Sequence, residues 1–237
     1  MHVIKKKGYA TKKQPEQEIL SIAHRISSFA SSYKKQVAIT LSSLAVLLVI
    51  AAGYWLMKNL EEQKAAPLLA AAYEYYSSAA GASADYGKAL ALFGDAQKKY
   101  PGTMSGAVAQ YYIGNCLVNL NRPEEAIKEY QTFVTKYAAD KLLLGLVYQR
   151  MGYVYNALGK QADAMKSFEQ SESLMGPGPA TMELARLYET SGNVVEAQRK
   201  YKIVSEKLAG TSWGIEATGK VQKIESVPQP FPGKSDK

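Results

Sequence analysis

Apolar positions are spaced in three different ways along this chain. From Val37 to Met57 they run on for 21 residues without a charge. A helix of that length rises about 31 Å, close to the ~30 Å hydrocarbon core of a bilayer, so the run predicts a transmembrane helix over 37–57. Lys34 and Lys35 bracket one end and Lys58 the other, and Tyr54 and Trp55 stand near the far end, where amphipathic rings favour the headgroup layer. From 65 to 209 the apolar residues instead recur at intervals of three and four, in short helical stretches that each end at Gly, Asn or Pro. This second pattern predicts an all-α domain. Ahead of the apolar run, Ile19, Ile22, Ile26, Phe29 and Tyr33 fall at spacings of 3, 4, 3 and 4, one stripe of an amphipathic helix over 16–33 that begins after Pro15. That stripe fits a helix lying on the inner leaflet in contact with anionic lipid, a short dimer seam, or a simple continuation into the span.

The helical stretches repeat one another. Tyr148, Met151, Gly152 and Tyr155 are followed by Ala164 and Phe168, with Pro177 closing the unit. Gln110, Ile113, Gly114 and Leu117 precede Ala126 and Tyr130 at the same offsets, and Thr181, Leu184, Ala185 and Tyr188 precede Ala197 and Tyr201. An earlier unit has Tyr73, Tyr76 and Ser77 in its first helix and Ala89, Phe93 and Pro101 after it. The small residue of the first helix steps through Ser77, Gly114, Gly152 and Ala185 at intervals of 37, 38 and 33. This pattern resembles the tetratricopeptide repeat, a helix–turn–helix unit with a period of about 34 residues. The small side chains are expected where the two helices of a unit cross, and Gly159 and Gly192 are expected to close first helices as C-caps. Units are placed near 70–103, 107–140, 145–177 and 178–209, within a domain spanning 65–226. The stripe Trp213, Ala217, Val221 and Ile224 predicts a helix over 211–226 that caps the solenoid. Residues 227–237, with Pro228, Pro230 and Pro232, read as a disordered tail.

Charge supplies an orientation. The net charge of +8 is concentrated in residues 1–36, a basic tail with eight Lys/Arg against Glu16 and Glu18, whereas Lys58–Pro67 carries two lysines and two glutamates. The positive-inside rule then sets the N-terminus in the cytoplasm and the repeat domain outside it. A cleaved signal peptide is the rival, since Ala51, Ala52 and Gly53 are small enough for a cleavage site. The long leader and long apolar run argue against it. The charge sits on a tail and not on the folded body, so no nucleic-acid partner is expected.

The same residues argue against catalysis. Both histidines, His2 and His24, precede the span, and Cys116 is the sole cysteine. The repeat domain therefore lacks the side chains for a zinc site, a Cys–His pair or a Ser–His–Asp triad. Its glycines are accounted for by helix crossings and caps instead of a phosphate loop. No metal, no cofactor and no enzymatic activity are expected. Cys116, on an apolar helix face, reads as a small core residue.

A basic cytoplasmic tail, one span and a compact periplasmic repeat domain resemble in layout the ancillary Sec-translocon subunits of Gram-negative bacteria. The stretch Lys99-Tyr100-Pro101-Gly102-Thr103 also resembles the repeat junctions of TolA-binding cell-division coordinators. The first resemblance implies a single-pass inner-membrane scaffold that binds proteins or peptide segments in the periplasm, beside the translocon and its chaperones. The second implies a structural subunit of a fixed envelope complex, assembled through its convex face or cap. In the tetratricopeptide fold the first helices line the concave face. The family's contact positions correspond here to Tyr111, Asn115, Gln149, Tyr153, Asn156, Met182 and Arg186. Glu74 and Leu146 stand where a carboxylate clamp would need lysines, so no strong preference for a free C-terminus is implied.

Overall fold

A computed structural model describes Leu20, Ile22, His24, Ser28, residues 32–77 and residues 83–226. The basic residues before Leu20, the stripe positions Ile19, Ile26 and Phe29, and the tail expected over 227–237 lie outside the described residues. Every regular element among the described residues is a helix. In chain order these are α1 (Lys34–Tyr76), α2 (Tyr86–Lys99), α3 (Met104–Asn119), α4 (Pro123–Lys136), α5 (Lys141–Ala157), α6 (Gln161–Met175), α7 (Pro179–Thr190), α8 (Val194–Lys207) and α9 (Ser212–Ser226). The chain divides into two compact units, one ending at Met57 and one starting at Lys58.

In the first unit, α1 is long and apolar enough to cross a membrane. Among the described residues, its side chains from Ile39 to Met57 enter no core: Leu44, Leu47, Val49 and Trp55 are all exposed. The sequence separates a span at 37–57 from a domain beginning at 65, yet α1 is one helix of 43 residues. Lys58 to Ala72 are mostly Leu, Ala, Glu, Gln and Lys, strong helix formers that carry the helix onward. Pro67 sits inside it, where it cannot donate to the carbonyl four residues back and its ring crowds that carbonyl.

The second unit is a row of antiparallel helix pairs in which each helix from α2 onward packs on the next and α3 also touches α5, while α1 meets α2 through Tyr73 and Tyr76 against Phe93. The last turns of α1 pair with α2, then α3 with α4, α5 with α6 and α7 with α8, while α9 packs on α8 and α7. Local chemistry sets the helix starts. Asp85, Thr103, Asp140 and Asn193 each accept a backbone N–H three residues on, at 2.9, 3.0, 2.9 and 3.3 Å. Pro123 and Pro179 open α4 and α7, where a missing N–H costs nothing. The caps at Thr103 and Asp140 start α3 and α5 ahead of the repeat motif itself. Inside units two, three and four the turn passes through a left-handed residue, Asn121 (φ 58°), Gly159 (φ 72°) and Gly192 (φ 79°).

The pairs close on the small positions of the repeat. A Cβ on Gly114 would lie 2.7 Å from Tyr130 Cδ1, and one on Gly152 would lie 2.5 Å from Phe168 Cε1. Both large rings are fully buried and fill the space that the missing side chains leave. Tyr73, Tyr76, Phe93 and Tyr112 form an edge-to-face and stacked cluster at the first two units, with centroids 4.6 to 6.2 Å apart. The core continues through Ala164, Phe168, Leu184 and Leu187 to a last cluster of Met182, Ala185, Tyr201, Val204 and Ala217. Ala217, Val221 and Ile224 of α9 cover that last cluster. Trp213, read from the sequence as a member of the same stripe, is exposed instead. It lies in the first turn of α9, beside the buried Gly214 that packs on the Leu208 carbonyl at the end of α8.

Candidate functional site

The first helices present a concavity of about 400 Å³ lined by Tyr111, Leu146, Gln149, Arg150, Tyr153, Pro179 and Trp213. Its floor is α5, whose residues 146, 149, 150 and 153 share a face at helical spacing. The α3 wall is Tyr111, held edge-on against the Tyr112 ring at 5.0 Å and receiving a hydrogen bond from Arg150 Nε at 3.2 Å. Pro179, at the start of α7, and Trp213, at the start of α9, close the far side. Tyr153 is braced by an edge-to-face contact with Phe168 at 5.2 Å. Flat aromatic surface, an amide and one guanidinium thus meet in an open groove. That combination suits extended polypeptide, which offers backbone hydrogen bonds and apolar side chains together.

Of the seven positions expected at the site, Tyr111, Gln149 and Tyr153 come together here. Asn115 is buried, and its Oδ1 accepts the Tyr130 hydroxyl at 2.7 Å inside the α3–α4 crossing. Met182 is fully buried beneath the last core cluster, because α9 takes the place that the first helix of a fifth unit would hold. Arg186 is committed to Glu183 at 2.6 Å and to Glu216 of α9 at 2.8 Å, which makes it an anchor for the cap. Asn156 is exposed on α5 but outside the groove lining. Sequence reasoning missed Arg150, Pro179 and Trp213. Arg150 was legible as the residue one turn beyond Leu146 on the same face. Trp213 was not, because its spacing to Ala217 and Val221 assigns it to the cap's apolar stripe.

The cap itself is tied by charge. Lys220 lies 2.8 Å from Glu189, which also accepts the Tyr201 hydroxyl at 2.6 Å. Lys220 first, and then Tyr201, hold the Glu189 carboxyl below the usual range. Lys200 and Glu172 form a further pair between α8 and α6, almost enclosed by protein. Burial pushes the Cys116 thiol up to about 12, so it stays protonated and inert in the core. Among the described residues no group of His, Cys, Asp or Glu is placed to hold a metal ion.

Comparisons with known proteins agree with this geometry. Residues 108–139, which take in most of α3 and all of α4, match the tetratricopeptide repeat family. No curated protein matches the chain. Among solved structures, a tetratricopeptide repeat protein from Parabacteroides merdae ATCC 43184 superposes with a TM-score of 0.56 at 14% identity. That alignment takes in 69% of this chain and 60% of the other, so this chain spans less than two thirds of that protein's length. The nearly identical TPR-like repeats of a Podosopora anserina kinesin light chain superpose with a TM-score of 0.53 at 16% identity, over 68% of this chain and 85% of the other. Residues 108–139 thus match a tetratricopeptide repeat, and the helices around them share the fold of tetratricopeptide repeat proteins.

Proposed function

We propose that this chain is a membrane-anchored tetratricopeptide adaptor. Its apolar helix crosses the bacterial inner membrane once with the N-terminus in the cytoplasm, and its repeat domain binds polypeptide segments in the periplasm. The groove carries the binding half of this reading, because above the buried Tyr111 it leaves Tyr153 and Trp213 surface and the Gln149 amide unfilled by the chain itself. The anchoring half is supported by exposed apolar side chains along α1 from Ile39 to Met57 and by the eight basic residues that precede them. The layout resembling ancillary Sec-translocon subunits supports a position beside the translocon, where emerging chains need transient partners.

Co-purification of the full-length protein after mild detergent extraction tests the binding half. Gln149→Ala combined with Tyr153→Ala and Trp213→Ala removes groove surface from positions that are at least partly exposed. The expected result is loss of many substoichiometric partners while helical content and membrane insertion are kept. Recovery of a single stoichiometric neighbour, unchanged by the triple substitution, would instead favour a fixed subunit assembled through the convex face.

A further inference from the structure

The chain enters the repeat unit at Lys58, the residue directly after the apolar stretch. Within that unit residues 58–62 pack on the turn between α2 and α3. Glu62 accepts the Ser105 N–H at 3.1 Å and also the Ser105 hydroxyl, and Lys58 Nζ would lie 2.5 Å from a Cβ placed on Gly102. In a row of antiparallel pairs, the α2–α3, α4–α5, α6–α7 and α8–α9 turns share one edge, which is therefore the edge of entry.

This edge is basic. Lys98, Lys99, Lys136, Lys141 and Lys207 stand on it, all exposed. Of its carboxylates, Glu61 is paired with Lys58 and Glu172 with Lys200, whereas Glu62 and Asp140 accept from Ser105 and the Leu143 N–H and keep their charge. Glu206 is exposed beside Lys207. The helix macrodipole accounts for lysines in the last turns of α2, α4 and α8. It does not account for the apolar side chains among them. Met104 is 50% exposed, Leu142 65%, Trp213 41% and Ile215 68%, all in the opening turns of first helices or of the cap. The opposite edge is mixed in charge: Glu124, Glu125, Asp163 and Glu196 at the starts of α4, α6 and α8 stand among exposed Lys88, Arg122 and Lys160, and its exposed apolar side chains are small, Val194 and Val195 among them.

We propose that the entry edge of the repeat unit rests on an anionic lipid surface. The lysines pair with lipid phosphates, and Met104, Leu142, Trp213 and Ile215 enter the boundary between headgroups and acyl chains. Tryptophan is the side chain best suited to that layer, with an apolar body and one N–H donor. Because Trp213 also forms the rim of the groove, this contact brings the groove mouth to the membrane surface, where segments leaving the bilayer pass. The inference rests on the membrane-anchored reading above.

The two tryptophans, Trp55 and Trp213, separate the inference from that reading. Full-length protein is reconstituted in phosphatidylcholine vesicles with and without phosphatidylglycerol, carrying nitroxide quenchers at either headgroup or acyl depth. In Trp55→Phe protein, Trp213 is the only reporter. It should be quenched from the headgroup layer when phosphatidylglycerol is present, and Lys98→Gln, Lys99→Gln and Lys141→Gln should each weaken the contact about fivefold. A tryptophan introduced as Val195→Trp on the opposite edge, with both native tryptophans replaced by Phe, should remain unquenched. In Trp213→Phe protein, Trp55 reports the span. Quenching of Trp55 without quenching of Trp213 beyond the Val195→Trp level overturns the lipid-facing edge and leaves the anchor standing. Absence of quenching at Trp55 overturns the anchor, and the edge proposal with it.

Discussion

Gly152 and Gly94 are both helical glycines, and the surroundings give them opposite roles. A side chain at Gly152 meets the Phe168 ring at once, whereas a Cβ at Gly94 meets nothing within 4 Å. Gly152→Leu should therefore force α5 from α6 and cost about 1–3 kcal/mol. Gly94→Ala should stabilise α2 by about 0.5–1 kcal/mol through helix propensity alone. Thermal melts of the full-length protein in detergent, with hydrogen exchange to localise the change, check both signs. In Gly152→Leu protein the faster exchange should reach α3–α4 and α7–α8, since repeats draw stability from their neighbours. The helix-crossing glycines were legible in the sequence because they recur with a fixed partner, Gly114 with Tyr130 and Gly152 with Phe168. The burial of Asn115 was not. A motif position tells which face a residue occupies, but not that a tyrosine hydroxyl from the next helix will claim its amide oxygen.

At the scale of elements, the helix pairs could be read from spacing, and the cap from its apolar stripe. What holds the cap could not, because ion pairs between helices leave no periodic trace. Arg186 with Glu216 and Lys220 with Glu189 join α7 to α9 across about thirty residues of sequence. Glu189 has its folded pKa depressed, chiefly by Lys220 and then by the Tyr201 hydroxyl. A depressed carboxyl pKa contributes stability that is present above the unfolded value, about 4.3 for glutamate, and is lost as pH falls through the folded value. Amides of α9 should thus exchange faster, relative to those of α4, as pH is lowered below about 4. Glu189→Gln should flatten that difference, and an unchanged profile would mean that the apolar seam of Ala217, Val221 and Ile224 holds the cap alone. The continuity of α1 past Met57 likewise leaves no periodic trace. Pro67 and the charges after Met57 look like a boundary in sequence, but the residues around them are strong enough helix formers to bridge it.

At the scale of the whole molecule, the proposal of a cytoplasmic tail and an external repeat domain makes a labelling prediction. Cys116 is buried with its thiol pushed up to about 12, so it does not compete for a thiol-directed probe. A cysteine at Lys6 should stay shielded in intact cells, while one at Lys234 should react once the outer barrier is opened. The reverse order would end the proposed topology, and a mature chain starting near Ala52 would mark the apolar run as a cleaved signal. The binding groove remains the central claim, and site-specific photo-crosslinking in the full-length protein tests it most directly. A photoreactive side chain at Gln149, inside the concavity, is compared with one at Lys128, exposed on the second helix α4. Adducts with partner polypeptides from Gln149, absent from Lys128 and abolished by Tyr153→Ala with Trp213→Ala, are the predicted result. Adducts from Lys128 that persist in the groove variant, with none from Gln149, would contradict it.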